Sequence, residues 1–180
     1  MTTPIFNLEK SLQVVLYIAN KLQRKDFHKI FKIIYFADRE HIAQYGRPIT
    51  GDTYIAMKDG PVPSNIDDIF KAVRGDGFFA SNAVEYAKLF EIHDWYFVKP
   101  KQAANLDYLS ESDLEELDKA LALYGNLSWD EVRDKSHDYA WHSTPKDRPI
   151  ALEDIMREKG EDDDYIAYIC NATTLQKACL

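Results

Sequence analysis

The sequence predicts an α+β fold that is predominantly helical, a helix bundle with a small antiparallel β-sheet of two to three strands. Apolar residues recur at helical spacing over most of the chain. β-Branched and aromatic residues instead dominate two short stretches, at about 53–58 and 86–99. We expect residues 1–180 to form one domain, because a chain of this length with 46% hydrophobic content can bury a sizeable core without a metal or a disulfide.

The first two helices are predicted from amphipathic stripes that begin after capping residues. The first runs from about Leu8 to Gln23, with Asn7 as its N-cap. The second follows the N-cap Asp26 and ends at Gly46, a residue type that readily adopts the left-handed conformation found after helices. Because each stripe is apolar on one side, the two helices should pack against each other.

A segment with strongly constrained backbone follows the second helix. The proline in Arg47-Pro48 forces extended backbone, and Gly51 permits a turn, so a strand is predicted at about 53–58. Gly60-Pro61-Val62-Pro63 is expected to stop that strand and stiffen a corner. A third helix at about 65–73 then begins after Ser64, which forms a weak capping box with Asp67.

The remaining elements are predicted from turn and capping signals. The stretch 86–99 reads as a hairpin that turns at His93-Asp94, and the strand at 53–58 could extend it into one sheet. Helices are expected from Ser110 to Tyr124, from Trp129 to about Ser136 behind the capping box Ser128-x-x-Glu131, and at 152–159. The acidic segment 160–180 either adds a terminal helix at 165–175 or frays and is mobile.

Three consecutive motifs carry a resemblance to a known family. They are Tyr35-Phe36-Ala37-Asp38, the loop Tyr45-Gly46-Arg47-Pro48-Ile49-Thr50-Gly51-Asp52 and the turn Ala56-Met57-Lys58-Asp59-Gly60-Pro61-Val62-Pro63. With His137-x-x-x-Trp141 further along, they resemble the Panacea domain, the SocA-like antitoxin domain. The similarity covers roughly residues 29–141 and is densest at 32–63.

The resemblance implies an antitoxin of a bacterial or phage-encoded toxin–antitoxin system. Such a protein is not an enzyme, and it neutralises a cognate protein toxin by direct binding. Two alternatives stay open: an adaptor that delivers the toxin to a protease, and a nucleic-acid-binding regulator. Oligomeric state and the identity of the toxin do not follow from the sequence.

The candidate site residues fall into a binding set and a structural set. The binding set lies on the second helix, the loop and the turn, where a rigid surface would lose little entropy on docking; the same charged groups could instead hold the shape of the loop. The binding set is Asp38, Arg39, Tyr45, Arg47, Asp52 and Lys58. The structural set is Gly46, Pro48, Gly51, Gly60, Pro61, Pro63, His137 and Trp141, the last two assigned through the resemblance.

No catalytic residue, metal ligand or cofactor is predicted. The chain has no GxxxxGK[ST], GxGxxG, HExxH or GxSxG motif. Asp38 and His41 are spaced so that an acid could orient an imidazole as a general base, but no nucleophile accompanies them. His137 and His142 lack a third ligand for a metal.

The net charge of −8 makes a nucleic-acid partner unfavourable, because neutralising phosphates requires clustered basic residues. One exception is a stripe of Lys25, Lys29 and Lys32 on one face of the second helix. It reads either as a solvated face or as a contact for RNA or an acidic partner. No apolar run reaches membrane-spanning length and no secretory signal is visible, so we expect a cytoplasmic protein without a membrane partner.

Overall fold

The computed structural model describes residues 4–76 and 82–178. These residues form nine α-helices and two separate two-stranded antiparallel sheets, which confirms the predominantly helical α+β class. The helices are α1 (Leu8–Lys21), α2 (Phe27–Tyr45), α3 (Ser64–Arg74), α4 (Ala83–Leu89), α5 (Glu111–Tyr124), α6 (Trp129–Ser136), α7 (Tyr139–His142), α8 (Leu152–Glu158) and α9 (Asp163–Ala178). The strands are β1 (Tyr54–Met57), β2 (Gly60–Pro63), β3 (Phe90–His93) and β4 (Phe97–Pro100).

Helix α2 is the central element of the core. It is buried on most of its circumference and packs against α1, α5, α6 and β2. Its residue Phe36 lies against Tyr124 of α5, with ring centroids 4.0 Å apart. Asp26 caps its first turn and Gly46 ends it in the left-handed conformation, as predicted.

Residues 60–63 were predicted to stop the first strand and stiffen a corner, and the absence of a second strand in that prediction was wrong. They form β2 and pair with β1 from Tyr54↔Pro63 to Met57↔Gly60, so the two strands make a hairpin. Prolines are tolerated here because β2 is an edge strand, where a missing N–H leaves no ladder acceptor unpaired.

The expectation that both β regions join one sheet was also wrong. The free edge of β1 pairs with the segment before α8, through Ala56 N–H to Arg148 O at 2.9 Å and Ile150 N–H to Tyr54 O at 2.8 Å. The free edge of β4 pairs with the α1–α2 connection, where Val98 N–H donates to Lys25 O at 2.9 Å. Irregular chain segments thus pair with the outer edges of β1 and β4, and the two hairpins form separate sheets.

Helix ends agree with the capping signals at two later positions. Ser110 and Ser128 each form a reciprocal capping box at the start of α5 and α6. Helices α4 and α7 were not predicted, and both are short. Of the two alternatives for the C-terminal segment, the structure forms a helix, α9, which buries Ile166 and Ile169.

Candidate functional site

Asp38 on α2 organises the loop that follows the helix. It is fully buried, and its carboxylate accepts hydrogen bonds from Ile49 N–H (2.6 Å), Thr50 N–H (3.2 Å), Thr50 Oγ1 (2.7 Å) and Tyr54 Oη (2.7 Å). Burial raises the pKa of Asp38, although these four donors oppose that rise. In this conformation the carboxylate holds the loop and the start of β1 to α2, and it is not available at the surface.

Asp52 performs the capping role that sequence reasoning gave to Ser64. Its two oxygens accept from Asn65 N–H and Ile66 N–H, both at 3.0 Å, and from the Asn65 side-chain amide at 2.8 Å. Helix α3 therefore begins after Pro63, and no local side chain caps it. Burial raises the pKa of Asp52, and the donors from Asn65 oppose the rise. Its carboxylate fastens the loop to α3.

Gly51 is required by a close approach between chain segments. It has φ +70°, and a Cβ there would collide with the carbonyl oxygen of Ile5. The segment before α1 also bonds to this loop, because Asn7 N–H donates to Thr50 O at 3.0 Å. The loop from Gly46 to Asp52 is thus fixed from both sides.

Arg39 lies in a largely buried cluster of charged side chains with Glu40, Asp138 and Glu158. The side chain is only 10% exposed and donates from Nη1 to Asp138 Oδ2 at 3.0 Å. Tyr35 Oη donates to the same Asp138 oxygen at 2.8 Å, and burial raises the pKa of Tyr35 well above its usual value. These bonds tie α2 to α7, so most of Arg39 is committed to the fold.

The Asp38–His41 general-base pair is not assembled. His41 Nδ1 lies 2.7 Å from Arg47 O, and Nε2 lies 3.0 Å from Ser112 Oγ and 3.3 Å from Asp113 Oδ1. Burial lowers the pKa of His41. Since the Asp38 oxygens are taken by the loop, the carboxylate does not orient this imidazole.

Three members of the predicted binding set remain exposed. Tyr45 is 43% exposed, the Arg47 side chain is 48% exposed and Lys58 is exposed in the β1–β2 turn. Arg47 Nη1 lies 3.3 Å from Asp113 Oδ1. These three do not form one cluster: Tyr45 and Arg47 flank the N-terminal part of α5, whereas Lys58 lies at the hairpin tip.

His137 and Trp141 support the β1–β2 hairpin at the end of β1. Their rings stack with centroids 3.8 Å apart and an interplanar angle of 7°. Trp141 Nε1–H donates to Met57 O at 2.9 Å, at the end of β1. Burial lowers the pKa of His137. The pair supports the turn that carries Lys58.

The interpretation of Lys25, Lys29 and Lys32 as an exposed stripe was wrong. Lys29 is 2% exposed, and its amine donates to Tyr124 O at 3.2 Å and to Leu127 O. Lys32 is 1% exposed, and its amine donates to Pro61 O at 2.8 Å. Helical spacing alone does not separate a solvated lysine from one that reaches buried carbonyls after α5 or in β2.

A cleft of about 680 Å³ lies between the tips of the two hairpins, and we call it the hairpin cleft. Its apolar walls are Phe27, Phe31, Met57, Tyr96, Phe97 and Trp129. Charged and polar groups also line it, from the α1–α2 connection, α2, the β1–β2 turn, α3 and the segment after α7: Arg24, Asp26, His28, Lys32, Lys58, Asp59, Asp67, Lys146 and Asp147.

The wall of the hairpin cleft formed by β3–β4 is held in place. Phe27 N–H donates to Tyr96 O at 2.9 Å, and Arg74 Nη1 donates to Trp95 O at 2.9 Å. The Arg74 guanidinium lies 5.5 Å from the centroid of the Tyr96 ring. Tyr96 nevertheless remains 59% exposed and neighbouring Trp95 66% exposed. The cleft is therefore formed in the unbound chain and offers exposed aromatic surface.

The model of one protein family, described as antitoxin SocA-like, Panacea domain, matches residues 30–142, which is more than half of the chain. The chain belongs to this family. No curated protein and no solved structure gives a significant match. The region that matches the Panacea model runs from α2 to the end of α7 and contains both hairpins.

Sequence reasoning found the Panacea motifs but missed much of the hairpin cleft. Phe27 precedes the matched region, and Tyr96 and Trp129 lie in it but outside the motifs. The available signal was a β-turn rich in aromatic residues, Trp95-Tyr96-Phe97, which pointed only to a strand. Which helix these residues would face was not encoded locally.

Among the described residues, no helix combines the length and the apolar character needed to cross a membrane. The same residues contain no group of three or more His, Cys, Asp or Glu side chains placed to hold a metal ion.

Proposed function

We propose that this chain is a non-enzymatic, cytoplasmic antitoxin that neutralises a cognate protein toxin by direct binding. The observation that carries the proposal is the hairpin cleft, a preformed aromatic surface built largely from the part of the chain that matches the Panacea model. Aromatic residues and Met are enriched where proteins bind proteins.

Rigidity of the surrounding fold favours binding without a refolding step. The Asp38 and Asp52 hydrogen bonds fix the segment from α2 to α3, and the His137–Trp141 pair fixes the β1–β2 hairpin. A surface that is ordered before contact loses less conformational entropy on docking. In this proposal Lys58 contacts the toxin at the hairpin tip, and Tyr45 and Arg47 extend the contact along α5.

The roles of the buried candidates differ from those of the exposed ones. Asp38, Arg39 and Asp52 act by shaping the binding surface, because their polar atoms are engaged within the fold. Pro48, Pro61 and Pro63 restrict the same backbone, which lowers the entropy of the unfolded chain.

Growth rescue tests the proposal. A host would express the small open reading frame next to the gene for this chain, with and without the chain, and the toxin level would be followed by immunoblot. We expect arrest by the neighbour alone, rescue on co-expression, a stable toxin level and co-purification of the two proteins. Rescue accompanied by loss of the toxin would replace direct inhibition with protease delivery, and failure to rescue would overturn the antitoxin function.

A matched pair of variants connects rescue to the hairpin cleft. Tyr96→Ala removes an exposed ring from the cleft wall, whereas Tyr168→Ala removes a ring that is 67% exposed on α9. We expect Tyr96→Ala to weaken toxin binding by at least about tenfold and Tyr168→Ala to leave it unchanged. Equal effects of the two changes would place the toxin elsewhere on the chain.

A further inference from the structure

The floor of the hairpin cleft contains a buried amine without a nearby countercharge. Lys32 is 1% exposed and lines the cleft, yet no carboxylate of the described residues lies within 4.0 Å of its Nζ. Its hydrogen bond goes to one neutral acceptor, Pro61 O. Burial without a nearby countercharge disfavours the charged form of this amine, and an anion brought into the cleft would stabilise that form by pairing with it.

Lys29, on the same helix, is a buried lysine whose amine has more hydrogen-bond acceptors than that of Lys32. Its amine reaches two carbonyl oxygens, Tyr124 O in the last residue of α5 and Leu127 O just after that helix. Such carbonyls carry partial negative charge at a helix C-terminus, and Lys29 does not line the cleft. Lys32 lacks an equivalent arrangement, although the two residues lie on the same buried side of α2.

The shape of the floor depends on leaving room for the Lys32 amine. Gly60 has φ +97°, and a Cβ there would lie 2.9 Å from Lys32 Nζ and would collide with Ser136 Oγ. His28 adds further unused polar capacity, because neither ring nitrogen has a hydrogen-bond partner of good geometry among the described residues. Its ring stacks on Trp129 with centroids 4.4 Å apart. Polar and aromatic recognition groups thus lie side by side.

We propose that the hairpin cleft binds a segment of the partner protein in which an acidic residue adjoins an aromatic one. The carboxylate lies at the Lys32 amine, and the aromatic ring packs against Trp129 and Tyr96. This inference deepens the proposed function, because it names the chemistry by which the toxin is recognised. Asp59, in the β1–β2 turn, is the acidic group that acts on Lys32 through space, and it competes with the incoming carboxylate.

Two blocked dipeptides test the inference on the full-length, ¹⁵N-labelled chain. The probes are N-acetyl-Trp-Glu-amide and N-acetyl-Trp-Gln-amide, which differ in charge and hardly in shape. Titrations followed by amide chemical shifts should show changes around the cleft and at least about fivefold tighter binding of the glutamate probe. Equal binding of the two probes, or changes centred away from the cleft, would overturn the inference.

Three variants test whether Lys32 and Asp59 determine the preference for the glutamate probe. Lys32→Met should abolish the preference for glutamate, whereas Lys25→Met, which removes a half-buried lysine outside the cleft, should preserve it. Asp59→Asn should strengthen binding of the glutamate probe, and this change in the half-buried β1–β2 turn keeps the test decisive if Lys32→Met does not fold. A preference that survives Lys32→Met, or is unaffected by Asp59→Asn, would contradict the assignment.

Competition with inorganic phosphate separates this inference from a general anion site, and growth rescue separates it from the proposed antitoxin function. Phosphate that displaces the glutamate probe, combined with no contribution from the tryptophan ring, would reduce the cleft to a general anion site and overturn the peptide assignment. A chain that rescues growth without any acidic preference leaves the antitoxin function standing and removes only this inference. A preference for the glutamate probe without growth rescue would leave the acidic recognition site standing and remove the antitoxin function.

Discussion

Two neighbouring regions of the molecule differ in physical character: the loop held by Asp38 and Asp52, and the hairpin cleft. Both draw residues from the same family-like motifs. In the loop, buried carboxylates receive a full set of donors, and the polar atoms are paired within the chain. In the cleft, aromatic rings are exposed, and within the described residues the buried Lys32 amine donates to one neutral acceptor, Pro61 O. A satisfied network stabilises one conformation, whereas unsatisfied surface is available to a partner.

The difference shows that residues of one motif can have two roles: some maintain the shape of the fold, and others are free to contact a partner. Asp38 and Lys58 both belong to the family-like motifs, yet one is fully buried and the other is exposed. We therefore expect changes in the loop to act on stability and changes in the cleft to act on recognition.

Asp38→Ala should have the largest effect on stability. The change leaves Ile49 N–H, Thr50 N–H, Thr50 Oγ1 and Tyr54 Oη without their buried acceptor, which should lower the free energy of unfolding by about 4 kcal/mol. Urea denaturation measures it. Asp118→Ala, which removes an exposed carboxylate paired with Lys21, should cost less than about 1 kcal/mol. Similar losses for both would mean that the loop network does not determine stability.

Gly60→Ala should follow, because it crowds the floor of the cleft. The new Cβ meets Ser136 and the Lys32 amine in a backbone conformation with φ +97°, for a cost of about 3 kcal/mol. Gly75→Ala is the matched control, since Gly75 also has φ +97° but an added Cβ there meets no atom within 4 Å among the described residues outside its own stretch of chain. Its cost, of about 1 kcal/mol, isolates backbone strain. Thermal unfolding compares them, and equal shifts would dismiss crowding at the floor.

Alkaline pH should stabilise the chain through Lys32. Burial lowers the pKa of Lys32 to about 7 in the fold, from 10.5 for an ordinary lysine, so the unfolded chain holds the extra proton between these values. Stability therefore rises with pH, by about 2 kcal/mol between pH 7 and 9. Urea denaturation at both values measures the rise. Lys32→Met should largely remove it, and an unchanged rise in that variant would assign the effect to other groups.

Lys58→Glu should have the smallest effect on the fold and a clear effect on function. The side chain is exposed in the β1–β2 turn, so the free energy of unfolding should change by less than about 0.5 kcal/mol. Rescue of growth should weaken, because charge reversal at the rim of the cleft disturbs the contact with the toxin. Lys135→Glu, on the exposed side of α6, is the control and should rescue normally. Full rescue by both would remove Lys58 from the binding set.

Local signals determined several elements of this fold correctly. The caps at Asp26, Ser110 and Ser128 and the left-handed Gly46 place helix ends through contacts between residues a few positions apart. The β3–β4 hairpin also follows from local composition, and the motifs around α2 were sufficient to recognise the family. These features depend on interactions within one turn or one hairpin.

The tertiary structure alone decided which polar residues are buried and what they touch. Lys29 and Lys32 have the spacing of a solvated stripe, and only distant carbonyls, at Leu127 and Pro61, make their burial possible. Asp52 caps a helix that starts twelve residues later, so no local pattern reveals it. The hairpin cleft likewise combines the α1–α2 connection, α2, β1–β2, α3, β3–β4, α6 and the segment after α7. Sequence periodicity records which side chains share a face of an element, whereas desolvation and long-range hydrogen bonding depend on what packs against that face.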